Sequence, residues 1–153
     1  MSSTYLTPHF SLAELTASQT AARHGLANTP DPAALANLQR LAETLETVRA
    51  KLGNVPVLVS SGYRSPAVNT RVGGSSTSAH KYGRAADFSA PRFGTPRQVC
   101  EAIIRAGIPF DQLIHEGTWV HLGLAERAAR PRQQVLTAIF KSGAPTRYVV
   151  GIQ

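Results

Sequence analysis

The chain has 153 residues, 42% hydrophobic and 16% charged, a composition that excludes a disordered polymer and suits about one globular domain. Its 16 Lys and Arg against 9 Asp and Glu leave a net charge of +7, which points to an anionic partner without choosing among nucleic acid, lipid and acidic wall polymer. The single cysteine, Cys100, excludes an internal disulfide and a Cys-rich zinc finger, and no apolar run approaches the roughly 18 residues of a membrane span.

The opening MSSTYLTPHF lacks a basic segment followed by an apolar one, so no secretory leader is expected. Ser11 reads as a helix N-cap, Glu14 completes a capping box, and Phe10 and Leu15 stand at the staple positions. A second short helical turn is expected over Ser18 to His24. Asp31 caps a long helix with Pro32 at its first position. Leu35, Leu38, Leu41, Leu45, Val48 and Leu52 form its apolar stripe, and Gly53 ends it. Val55 to Ser60 reads as a buried strand. Ser65-Pro66 opens a short helix that Gly73-Gly74 breaks, and a polar, flexible loop runs from Ser75 to His80.

Ala85 to Ala90 reads as a second strand. Thr95, Pro96 and Gln98 mark another capped helix, whose Val99, Ile103 and Ile104 face the core with Cys100 beside them. Asp111 to His115 and Thr118 to Leu124 form a hairpin around Glu116-Gly117. Two more strands, Val135 to Phe140 and Thr146 to Ile152, flank Gly143-Ala144-Pro145. Helices early and strands late predict an α+β fold: helices in the N-terminal half packed on a small, mainly antiparallel sheet, in a single domain over residues 1–153.

Chemistry concentrates in Ser60 to Asp87. His80, Gly83, Ala85 and Asp87 stand in the order His-x-x-Gly-x-Ala-x-Asp, and His121 follows in Trp119-Val120-His121-Leu122-Gly123. Two imidazoles and one carboxylate suffice for catalytic zinc, which keeps three protein ligands and an open fourth position. Gly83 allows a sharp turn, and Ala85 and Asp87 share one strand face. An Asp inside an apolar strand is costly unless it is paired or metal-bound.

The stretches SGYRSPAVN, SAHKYGRAADF, FDQLIHE and TWVHLGL, in that order, resemble the zinc D-Ala-D-Ala carboxypeptidase and phage endolysin peptidase family. FSLAELTAS also looks like phage and prophage members. The resemblance implies a hedgehog/DD-peptidase-like fold, zinc held by His80, Asp87 and His121, and cleavage of peptidoglycan stem peptides. It places Arg64 near the substrate, where a guanidinium forks onto a carboxylate or polarises a carbonyl. It implies that Ser78 contacts substrate or orients a ligand, and Trp119 reads as a packing residue or a wall of the substrate pocket. Some members carry an acid three positions before the last zinc histidine. Here that position is Thr118, so Glu116 is assigned as general base, with His115 as the alternative base or oxyanion donor.

The leading expectation is therefore a monomeric zinc peptidase, made in the cytoplasm and acting on the cell wall after release, as a phage or prophage lysis protein does. The charge of +7 suits an anionic envelope surface. The alternative is a catalytically inactive module of the same zinc fold that binds wall peptides. Specific nucleic-acid binding rests on net charge alone and has no basic-aromatic motif behind it.

Overall fold

A computed structural model describes residues 4–153. The reading of the opening segment rests partly on residues 1–3, which lie outside the described residues. The chain starts with a small antiparallel pair, β1 (Tyr5–Thr7) and β2 (Phe10–Ser11), which the sequence reading did not anticipate. Two short helices follow, α1 (Leu12–Thr16) and α2 (Gln19–His24). The Ser11–Glu14 capping box forms in both directions, and Phe10 and Leu15 are buried as the staple requires.

The long helix α3 (Pro32–Lys51) starts where Asp31 accepts from the Ala34 N–H at 2.8 Å. Its core face is Leu38, Leu41, Ala42, Leu45 and Val48. Leu35 lies off that face, 38% exposed, and Ala34 takes its place in the core. The predicted stripe is thus rotated slightly in the first turn, because a straight helix advances 3.6 residues per turn and Leu35 falls one position past the seam.

A six-stranded sheet runs β3 (Leu58–Ser61), β4 (Ala85–Ser89), β6 (Val120–Gly123), β5 (Gln112–His115), β7 (Gln134–Ile139) and β8 (Arg147–Val150). Every neighbouring pair is antiparallel except β5 with β7, which is parallel. The expected α+β fold on a mainly antiparallel sheet is the one observed. Strand β3 starts later than expected and is an edge strand, with Leu58 52% exposed, so it is not the buried strand the apolar run suggested. Short apolar runs do not distinguish edge from centre.

Strand alternation divides the sheet into two faces. Ala86, Phe88, Leu113, Val120 and Leu122 point back and join the core formed by α3 and α5 (Pro96–Arg105). Val99, Cys100 and Ile103 supply the α5 side, whereas Ile104 is 43% exposed and lies outside it. The front face is left for polar side chains. Between β3 and β4 come α4 (Pro66–Arg71) and a 3₁₀ turn (Ala79–Tyr82). Among the described residues, no helix is long and apolar enough to cross a membrane.

Two outcomes test this packing. Burial and the neighbouring Glu101 push the Cys100 thiol up to about 12. A thiol-disulfide reagent at pH 8 should leave the native protein unmodified and titrate one equivalent after denaturation. Truncation of a fully buried α3 side chain, Leu41→Ala, should cost about 2–5 kcal/mol in chemical denaturation.

Candidate metal centre

Register places the first two residues of the site. Strand β4 pairs with β6 so that Asp87 lies opposite His121, both on the front face. His121 Nδ1 and Asp87 Oδ1 are 2.9 Å apart. The third residue, His80, does not come from a flexible loop. It sits in the 3₁₀ turn, 2% exposed, with its backbone N–H donating to Ser78 Oγ at 3.3 Å. Gly83 closes that turn at φ +73°, and an added Cβ would meet the Ala34 carbonyl oxygen at 2.6 Å. Only glycine satisfies both the left-handed conformation and this close approach to α3.

His80 Nδ1 lies 2.7 Å from the Gly62 carbonyl oxygen. A carbonyl oxygen only accepts, so Nδ1 carries the proton and Nε2 presents its lone pair. That lone pair is 3.4 Å from Asp87 Oδ1. A backbone carbonyl holding the far nitrogen of a ligand histidine fixes tautomer and ring orientation together. The two imidazole rings stand edge to face, 5.1 Å between centroids. Among the described residues, His80, Asp87 and His121 each offer a donor atom within 4.8 Å of the others. This His-Asp-His set, with one tautomer already selected, fits a divalent metal with an open coordination position.

The surrounding charges are arranged tightly. Burial works to raise the Asp87 carboxyl, but the His121 hydrogen bond and the two neighbouring imidazoles outweigh it and hold the group well below the usual carboxylate range. Arg64 Nη2 is 4.0 Å from Asp87 Oδ2. Its other nitrogen, Nη1, donates to the Asn69 side-chain oxygen at 3.2 Å, and its backbone N–H donates to the His80 carbonyl. Burial pulls the Arg64 guanidinium below its ordinary value, while Asp87 opposes that shift. Glu116 is half-buried at the end of β5, and that burial raises its carboxyl. The His121 charge opposes the shift and the Asp87 charge adds to it.

All of these groups except Asn69 open on one cleft of about 820 Å³. Ser78 and Trp119 also line it. The hairpin reversal is centred on Gly117-Thr118, one residue later than expected: the Glu116 N–H donates to the Trp119 carbonyl at 3.0 Å. This keeps Glu116 on the cleft side, while Thr118 is exposed at the tip. His115 is not brought to the cleft. It pairs with Val120 and alternates with Ile114, so it faces the back of the sheet, where its Nδ1 is buried without a hydrogen-bond partner. Period-two alternation rules out a shared face for His115 and Glu116.

Three contributors were not legible in the sequence reading. Gly62 acts through its carbonyl, which carries no side-chain signal. Asn69, in the quoted SGYRSPAVN stretch, bridges Arg64 to the Ser75 carbonyl and is almost fully buried. Tyr148 lies across from Ala138 on the sheet edge and reaches the cleft from a strand distant in sequence.

The family model for peptidase M15 matches residues 8–123. The chain belongs to the peptidase M15 family. A zinc D-Ala-D-Ala carboxypeptidase of Streptomyces albus G is 46% identical over 46 residues. That alignment covers 30% of this chain and 18% of the other protein, so it spans less than a fifth of the curated relative. In this M15 chain the matched residues end at Gly123, the last residue of β6, and β7 and β8 follow.

The Gly62 contact yields a test. A Cβ at Gly62 would collide with the Leu15 carbonyl. Gly62→Ala should shift the His80 anchor and weaken metal affinity about 10–100-fold, read by chelator competition, with the circular dichroism spectrum retained.

Proposed function

We propose that this M15 peptidase is a zinc enzyme that hydrolyses peptide bonds in peptidoglycan stem peptides, as a D-Ala-D-Ala carboxypeptidase or an endolysin-type endopeptidase. The observation that carries the reading is the His80–Asp87–His121 cluster, open to a cleft in which Glu116 is also desolvated. The similar carboxypeptidase and the family membership support the metal and the substrate class.

In this reading His80, Asp87 and His121 hold zinc. When bound, zinc lowers the pKa of a ligated water to about 7 and polarises a carbonyl oxygen. The Glu116 carboxylate takes a proton from the attacking water as the new C–O bond forms at the scissile carbonyl. The C–N bond then breaks, and Glu116 returns the proton to the leaving amine nitrogen. Arg64, held by Asn69, donates to the developing oxyanion or to a peptide carboxylate. Ser78 acts through the His80 backbone, and Trp119 walls the cleft.

In this reading the working unit is a monomer. The net charge of +7 supports approach to an anionic envelope, and a lysis role of the phage or prophage type extends the same reading. The inactive-module alternative rested on Thr118 standing where some members carry an acid. The cleft-facing position of Glu116 favours catalysis instead.

The deciding experiment is mass spectrometry of muropeptides after incubating purified peptidoglycan with zinc-loaded protein, beside a chelator-treated control. Metal-dependent release of a defined fragment is expected and names the bond. No cleavage by a protein shown to hold one zinc would overturn the peptidase reading in favour of the binding module. Glu116→Gln should lower turnover about 10²–10⁴-fold while metal content, measured by atomic absorption, stays unchanged.

A further inference from the structure

The cleft extends well past the metal cluster, and its far end carries a second set of charges. Along the front face, Asp87 and His121 form one row with Ile114 and Leu136. The next row, one pleat repeat away, is Gly123, Gln112 and Gln134. Gln112 Nε2 donates to Gln134 Oε1 at 2.8 Å. That bond leaves the Gln112 oxygen and the Gln134 amide N–H free to pair with a peptide backbone. Beyond this row lie Arg84, Asp111 and Arg132, all lining the same cleft.

These three groups are not equivalent. Arg132 engages Asp111 in a fork: Nε donates to Oδ1 at 3.1 Å and Nη2 to Oδ2 at 2.8 Å. The Arg132 backbone N–H adds a bond to Oδ1 at 3.0 Å. Asp111 is therefore paired with Arg132, and Arg84 acts on it only through its charge at longer range. Arg84 lies over the Tyr82 ring, its guanidinium carbon 5.0 Å from the centroid, and makes one long bond to the Leu124 carbonyl at 3.4 Å. Among the described residues, no carboxylate lies within ion-pair distance of Arg84. The end of the cleft thus holds a pre-oriented guanidinium with most of its donors unused.

We infer that Arg84 is the anion-binding residue of a carboxylate subsite, set off from the metal cluster by the Gln112–Gln134 floor. Arg84 stands just before β4, three residues ahead of Asp87, so about 10 Å separate the two backbone positions at 3.3–3.4 Å per residue, and its side chain lines the cleft. An extended peptide advances at nearly the same rate. The preferred substrate is therefore an extended peptide whose free carboxylate lies away from the bond that is cut, where it meets Arg84. The inference rests on the peptidase reading and specifies the substrate class for it.

The test uses zinc-loaded full-length protein and two probes: a stem pentapeptide with free side carboxylates, and the same peptide amidated at those carboxylates. Arg84→Gln should raise KM for the acidic peptide about 10–100-fold with kcat nearly unchanged, and should leave the amidated peptide nearly unaffected. Arg84→Lys, which keeps the charge but loses the fork, should fall between. Asp111→Asn should act in the opposite direction and lower KM for the acidic peptide. Thermal melting of each variant separates these effects from loss of fold. Equal losses on both peptides, or no loss on either, would overturn the subsite while leaving the peptidase reading intact. If the wild type cuts neither peptide, the peptidase reading fails. The subsite is then decided by NMR titration with both probes: selective weakening of the acidic peptide by Arg84→Gln sustains it, and equal affinity overturns it.

Discussion

The pairing of β4 with β6 is the constraint on which the rest of the molecule depends. It sets Asp87 against His121 at 2.9 Å and, by the same alternation, turns Ala86, Phe88, Val120 and Leu122 into the core. A slip of one residue would reverse every side chain on either strand, burying the carboxylate and exposing the phenyl ring. The core face therefore protects the register of the polar face. The hydrophobic packing of α3 and α5 against the back of the sheet holds chemistry on the front.

A costly group is stabilised here by several weak ones. Asp87 is desolvated on a strand that is otherwise largely apolar, which disfavours its charge. The imidazoles of His80 and His121 and the more distant guanidinium of Arg64 surround it on the cleft side. Each of the three is itself held: His80 by the Gly62 carbonyl, Arg64 by Asn69, and His121 by its place in the ladder. Such a network keeps the donor atoms close together before any metal arrives, which limits the reorganisation that binding requires.

The front face also has a direction. Its rows run from the cluster, past the Gln112–Gln134 hydrogen bond, to the guanidinium of Arg84. At the other end stand Glu116, Trp119 and Tyr148. Burial and the charges of Glu116 and Asp87 raise the Tyr148 hydroxyl, so it stays a neutral donor at the rim. Phe140 packs over Gly117 at the hairpin tip, so the C-terminal strands brace the turn that carries Glu116. Three arginines and three carboxylates line this cleft and nearly offset one another, so a divalent cation makes it a positive site.

The sequence by itself determined the elements whose signals are local. The caps at Ser11, Asp31 and Thr95 are chemical events within one turn of helix, and they form as written. The set His80, Asp87 and His121 was legible through the motifs that resemble the peptidase family, and these residues do converge. Tertiary structure decided what depends on partners distant in the chain. It made β3 an edge strand, moved Leu35 and Ile104 out of the core, and added the parallel pairing of β5 with β7. It separated Glu116 from His115, neighbours in sequence that alternation sends to opposite faces. It also recruited the Gly62 carbonyl and the Tyr148 ring, since a backbone oxygen and a late strand acquire meaning only through what packs beside them. Local pattern encodes conformation and chemistry; only the folded chain decides which distant groups share a face.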